Sequence, residues 1–268
     1  MRGKPMATMT WQGTNYGTQL MVLTGRSLRK FFNTPALIFF SILQPLIMLT
    51  LFSQIFSSIT STANFAPGMT YVNYLLPAIL VNTAMQSSLQ SGVGLVTDMK
   101  DGVIARFRSL PIRLSTVLLA RNLSDSVRTG GQLLLMIVFG VLVFGFAPAG
   151  GVLGTLAAMG LALAVGWALS WVFLAIGAWV RNAELMQSIG FLAMFPLMFA
   201  SSAFVPTAAL PSWLQAVANV NPLTYAVDAS RSLALAQPVT GVVGALVTSL
   251  TIAVIGAAFA IRGFRRPL

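Results

Sequence analysis

Four long stretches of this 268-residue chain carry no Asp, Glu, Lys or Arg: residues 31–97, 129–180, 185–227 and 232–261. A charged side chain at the centre of a bilayer is costly, so charge-free stretches mark where a chain can cross one. A helical crossing takes ~20 residues at ~1.5 Å each. By length, the first stretch holds two crossings around the polar segment SSITSTANFAPGMT at 57–70. The second holds two around the turn FAPAGG at 146–151, the third one crossing and a remainder, and the fourth one. The expected spans are roughly 35–57, 71–95, 129–147, 151–179, 185–205 and 239–261.

Composition points the same way. Hydrophobic residues make up 56 % of the chain and charged ones 8 %, against ~25 % charged in ordinary soluble domains. A mean hydropathy of +0.83 exceeds what one water-soluble core of this length can hide. The expected fold is an all-α integral membrane protein, a single membrane domain over 1–268 with six transmembrane helices. The first apolar run begins after about thirty residues and is too long for a leader core, so it reads as a retained span.

A net charge of +11 would suggest nucleic acid in a soluble chain. Here it has another source. Six crossings put both termini on one side, and that side then collects fifteen of the sixteen Lys and Arg residues, all but Arg231. Excess Lys and Arg mark the inner face. Both termini are expected to be cytoplasmic in the cell membrane, and no nucleic-acid partner is expected.

Three segments do not read as crossings. TQLMVLTGRSLRKFFN at 18–33 puts Leu20, Met21, Leu28, Phe31 and Phe32 on one side of a helix and Arg26, Arg29 and Lys30 on the other. That is the pattern of an interfacial helix with its cations near anionic lipid. The inner loop, 97–128, is too apolar for water and too short in apolar residues to cross; Pro111 suggests a short helix, a break and a second helix. Its arginines fit a loop resting on headgroups, and equally a docking surface with Phe107 and Leu110 as apolar knobs. On the outer side, 206–238 opens two short helices at Pro211 and Pro222, with Trp213 and Tyr225 suited to an interface and Asp228 and Arg231 spaced for a local ion pair.

The chemistry is narrow. With neither Cys nor His, thiol chemistry and the commonest metal ligand and general base are missing, and no metal site is expected. None of Lys4, Lys30 and Lys100 completes G-x-x-x-x-G-K-[ST], so the chain is not expected to be an ATPase itself. Ion-coupled carriers place carboxylates within the bilayer; only Glu184, at an inner boundary, keeps that alternative open. The second span carries Asn82, Gln86 and Gln90 at four-residue spacing. These amides fit either a substrate route or interhelical hydrogen bonds.

Six spans, an amphipathic entry helix, a basic inner loop and outer helices before the last span resemble the permease subunits of type-2 ABC exporters, closest to the daunorubicin-resistance-like branch. The residues that carry the likeness are FPLMFASSAFVPTAALPSWLQAVANVNPLTYAVDASRSL at 195–233 and DMKDGVIARFRSLPIRLSTVLLARNL in the inner loop. The family often has Glu and Gly-Thr where Asp101, Gly102 and Val103 stand. The resemblance implies a second permease chain, identical or paralogous, and two copies of a separate ATPase that holds ATP and Mg; this chain binds no cofactor of its own. It implies that the segment with Asp101, Gly102, Arg106, Phe107, Arg108, Leu110 and Pro111 couples to the ATPase and transmits its closure, with Phe107 and Leu110 seated in it and Arg106 and Arg108 at the rim. It further implies export of a hydrophobic drug-like or lipid-like compound, with polysaccharide or glycolipid export as the alternative.

Overall fold

The computed structural model describes residues 15–33, 35–56, 70–103, 114–238 and 241–264. Among them the chain forms nine α-helices: α1 (Tyr16–Phe32), α2 (Pro35–Ile55), α3 (Tyr71–Lys100), α4 (Leu114–Phe144), α5 (Gly151–Val180), α6 (Ala183–Phe199), α7 (Ser212–Val220), α8 (Pro222–Ala234) and α9 (Val242–Phe264). A 3-10 turn at Thr207–Ala209 precedes α7. No strand occurs among the described residues.

Among the described residues, three helices are long and apolar enough to cross a membrane: α4 from Ser115, α5 and α9. Phe39–Ile55 and Ala183–Phe199 are shorter apolar helices. At 30 residues α3 has the length, but its serines and amides dilute its hydropathy.

The centre of the bundle is α3 against α5, with α9 on α5, α4 and α6 on α3, and α1 on α4. Small residues set this closeness. A Cβ on Gly166 of α5 would lie 2.9 Å from the carbonyl oxygen of Ala84 on α3, and one on Gly92 would lie 2.6 Å from that of Phe173. Lipid offers no solvophobic drive between helices, so backbone approach and dispersion contacts carry the packing. Gly150 and Gly154 likewise meet the α8 backbone at Leu233 and Ala234, whereas Gly160 faces open space. Leu75, Leu76, Leu80 and Leu89 of α3 fill the main core.

Several boundaries differ from those expected. Of the two helices expected in 97–128, the first is the end of α3, which runs on to Lys100, and the second opens α4 at Leu114, while the expected break at Pro111 lies outside the described residues. Hydrophobic counting starts the span only at 129 because the first half of α4 is polar. The fifth apolar helix stops at Phe199, not near 205, because carbonyls beyond it are taken by side chains from α3 and α8. The amphipathic α1 lays part of its apolar face on protein: Thr24 is buried and its hydroxyl donates to the Ala120 carbonyl of α4 (3.4 Å). Met21, Val22, Arg26 and Arg29 are exposed. Lys30 continues the helix.

Candidate functional site

Two polar clusters hold α3 at its ends, and a polar face lies between them. Beside the start of α3, α8 begins with Asn221 as its N-cap, accepting from Leu223 N (2.9 Å), and Pro222 in the first turn. The same Asn221 donates from Nδ2 to the carbonyls of Leu197 (2.7 Å) and Ala200 (2.6 Å), where α6 ends. A buried cation completes the arrangement. Arg231 donates to the Tyr74 carbonyl (3.2 Å), the Ser202 carbonyl (2.9 Å) and the Asp228 carboxylate (2.9 Å). Its guanidinium lies over the Tyr74 ring at 3.6 Å. Tyr71 and Tyr74 hydroxyls donate to the carbonyls of Phe204 and Ser202, both at 2.8 Å. The expected Asp228–Arg231 pair is present, inside a network that also joins α3 to the end of α6. Accordingly α8 is no peripheral helix: Leu223, Ala226, Val227, Ser230 and Arg231 are buried, while Trp213 and Tyr225 remain exposed.

At its other end α3 is followed as far as Val103, residues 104–113 lie outside the described residues, and α4 packs against α3. Asp101 caps α3, its N–H reaching the Thr97 carbonyl (2.9 Å), and Gly102 follows at φ 70°. A left-handed residue just past a helix suits Gly, which has no Cβ to clash. Arg106, Phe107, Arg108, Leu110 and Pro111 lie outside the described residues. The two helices are pinned together by charge. Arg121 of α4 is ion-paired with Asp98 of α3 and donates to the Ser91 carbonyl (3.1 Å). Asp125 accepts from the Ser91 hydroxyl (2.5 Å) and faces Arg121 and Arg128 at 3.8 and 3.7 Å. The Arg121 guanidinium lies over Gly94, where any Cβ would collide with it.

Between these clusters, most of α3 is buried. Its exposed residues are Gln90, Thr97 and Lys100, all polar, and Gln86 is half-buried beside them. Asn82 is turned inward; it is 7 % exposed and its Oδ1 has no partner among the described residues. The expected stripe is therefore split: two amides face out and one faces in. Gln44 on α2 and Gln187 on α6 are exposed as well, and both helices pack on α3. Polar contact between helices falls to others: the Ser87 and Thr129 hydroxyls, Gln132 with the Ser41 carbonyl, and Ser170 with Asn122 (2.7 Å). Glu184 stands exposed in the first turn of α6, next to its N-cap Asn182. A carboxylate is stabilised there by the helix dipole. No group of three or more metal-ligating side chains occurs among the described residues.

Sequence reading did not anticipate Tyr71, Tyr74 and Ser202 as partners of Arg231, or Gly94 beneath Arg121. Their signal was present but weak: two tyrosines three apart at a helix start, and a lone Arg in an outer segment otherwise free of positive charge.

The sequence has known relatives. The chain matches the family model described as ABC-2 type transporter over residues 18–235. It is 31 % identical over 208 residues to a daunorubicin resistance ABC transporter permease protein of Streptomyces coeruleorubidus, covering 78 % of this chain and 72 % of the relative. It is 23 % identical over 249 residues to a Mycobacterium tuberculosis protein named "Probable doxorubicin resistance ABC transporter permease protein", covering 92 % and 88 %. The permease subunits of such transporters work with separate ATPase subunits and are not themselves catalytic. With the match extending over most of the chain, from α1 to the end of α8, this protein belongs to the ABC-2 type transporter family.

Proposed function

We propose that this chain is the membrane-spanning half of an ATP-driven exporter that moves a hydrophobic, drug-like or lipid-like compound out of the cytoplasm or inner leaflet. Two such chains, identical or paralogous, enclose the route, and two copies of a separate ATPase bind ATP and Mg below them. In this reading α2, α3, α4, α5, α6 and α9 are the six crossings, and both termini are cytoplasmic. Phe107 and Leu110 seat in the ATPase, with Asp101 and Gly102 setting the start of the loop and Arg106, Arg108 and Pro111 shaping its rim.

One observation carries the proposal. A single helix, α3, ends in the candidate coupling segment and also presents the exposed amide Gln90, with the half-buried Gln86 beside it, along its flank. Because Arg121 ties α3 to α4, displacement of the tip is passed to both helices, and so to the polar face. An amide exposed within a crossing needs water, a partner chain or a substrate beside it. An export route between two chains supplies all three. Relatives named for daunorubicin and doxorubicin resistance favour a drug-like substrate over a glycan. The location of Glu184 in a capped first turn accounts for its charge without ion coupling.

The test is to tag the chain, solubilise native membranes in mild detergent and identify what co-purifies. The expected result is a P-loop ATPase in equal numbers, its hydrolysis stimulated by apolar drugs. Recovery of the chain without an ATPase in several mild detergents would overturn the reading.

A further inference from the structure

Where α3, α4 and α5 meet, the packing turns polar around a small cavity. Its wall includes Ser88 and Ser91 of α3, Asn122, Asp125 and Ser126 of α4, and Ser170 of α5. Ser88, Ser91, Asn122 and Ser170 are buried. The space open to a water-sized sphere is about 10 Å³, close to the room that one buried water takes.

The wall is rich in acceptors. The Ser88 hydroxyl donates to the Met85 carbonyl (2.5 Å), that of Ser91 to the Asp125 carboxylate (2.5 Å) and that of Ser126 to the Asn122 carbonyl (2.8 Å). With their protons committed, these oxygens still offer lone pairs. Ser170 has one proton for two acceptors at 2.7 Å, Asn122 Oδ1 and the Trp167 carbonyl. Asn122 is 0 % exposed, and its Nδ2 has no hydrogen-bond partner among the described residues. Turning the amide over would pair Nδ2 with the Ser170 oxygen and leave the Ser170 proton to Trp167, but it would strand Oδ1 instead. One end of the amide is left over either way, and a buried polar group left so is destabilising.

We propose that this cavity binds one water molecule, held by the Asn122 amide and shared among α3, α4 and α5. Water accepts from Nδ2, or donates to Oδ1 in the turned amide, and its remaining protons have the serine oxygens of the same wall to go to. Other occupants fit less well. An anion brings no proton for the serine oxygens and would face Asp125. A metal cation would meet the amide N–H, and the Asp125 charge is already answered by Arg121 and Arg128 at 3.8 and 3.7 Å. A larger polar molecule exceeds the space. Lipid cannot supply these hydrogen bonds, so the bridge has to lie within the protein. The assignment follows from burial and hydrogen bonding and does not depend on what is exported.

The experiment uses the full chain, isotope-labelled and in lipid bilayers, with its side-chain amides assigned by proton-detected solid-state NMR. Expected is a through-space cross-peak between the Asn122 amide protons and water at short mixing times. Asn221 is the internal control: it is also buried, and its Nδ2 protons go to the Leu197 and Ala200 carbonyls, so it should show no such peak. Absence of the Asn122 peak, or equal peaks at both residues, would overturn the proposal. A shift of the Asn122 signal when sodium is exchanged for potassium would overturn it in favour of a cation. Asn122→Leu gives a second readout, since Leu is close to Asn in size and removes the anchor. Loss of a hydrated, paired amide should lower the melting temperature by a few degrees, whereas removal of an unpaired amide from a dry cavity should raise it. A raised melting temperature would therefore also overturn the proposal. Should Asn122→Leu fail to fold, the wild-type spectrum decides alone.

Discussion

The guanidinium of Arg231 lies 3.6 Å from the centroid of the Tyr74 ring, and the same two residues are joined by a hydrogen bond from Arg231 Nε to the Tyr74 carbonyl. The contact ties α8 to α3, while Nη2 ties α8 to the Ser202 carbonyl beyond α6. Arg231→Ala would remove one of the two donors to the Ser202 carbonyl, leaving the Tyr74 hydroxyl as the other, and leave Asp228 without its cation. Hydrogen bonds to charged groups are worth ~1.5–3 kcal/mol, so the expected loss is about 2–4 kcal/mol, moderated by the half-exposed Asp228. Arg231→Lys keeps the charge but not the planar fork and should recover only part of this. Thermal unfolding of the detergent-solubilised protein measures both. A change of a few tenths for Arg231→Ala would mean that the network is not a structural tie.

How much of this was legible in the sequence depends on how local each feature is. The apolar helices announced themselves, because the cost of burying charge in lipid is written into every long charge-free stretch. The starts of α7 and α8 were legible too, since proline and Asn221 act on their immediate neighbours. The helix that opens α4 was expected after Pro111, but its ion pairs were not: Arg121, Asp125 and Arg128 show no partner in the sequence until Asp98 of α3 is placed beside them. Nor was the division of the amide stripe, because four-residue spacing puts Asn82, Gln86 and Gln90 on one slowly drifting line, and only the packing of α3 decides where that line leaves the core.

Gly94 and Arg121 should behave as one unit. A methyl at Gly94 strikes the far end of a flexible side chain, so the clash is relieved by moving Arg121 and losing its bonds to Asp98 and the Ser91 carbonyl. Gly94→Ala should therefore cost no more than Arg121→Ala. In the Arg121→Ala background it should be neutral or, through the better helix propensity of Ala, stabilising by up to ~1 kcal/mol. A double-mutant cycle on thermal stability should give a coupling of ~0.5–3 kcal/mol. Simple additivity would show that the glycine serves some other purpose.

The glycines of α5 should separate by what they face. Gly166→Ala drives a methyl into the Ala84 backbone, which cannot yield without parting α3 from α5. Overpacking of that kind costs ~1–3 kcal/mol. Gly160→Ala meets nothing within 4 Å and replaces a poor helix former with a good one. Expression level and melting temperature should fall for the first and hold or rise for the second. Equal behaviour would mean that helix propensity, not the close approach of α3 and α5, governs these positions.

Contact with the ATPase and transmission of its movement should be separable. Phe107→Asp with Leu110→Asp places charge on the two apolar residues proposed to seat in the ATPase, and burying an unpaired carboxylate there is prohibitive. The double variant should insert normally but no longer co-purify with the ATPase. Arg121→Ala leaves the loop sequence intact while unpinning α3 from α4 above it. It should retain the ATPase and its basal hydrolysis, yet lose drug export and drug stimulation of hydrolysis. Arg121→Lys keeps the charge beside Asp98 but loses the geometry that also reaches the Ser91 carbonyl, and should fall between. Normal docking and export by the double Asp variant would remove the seating residues from the proposal. Full drug stimulation in Arg121→Ala would show that movement reaches the polar face of α3 without the ion pair.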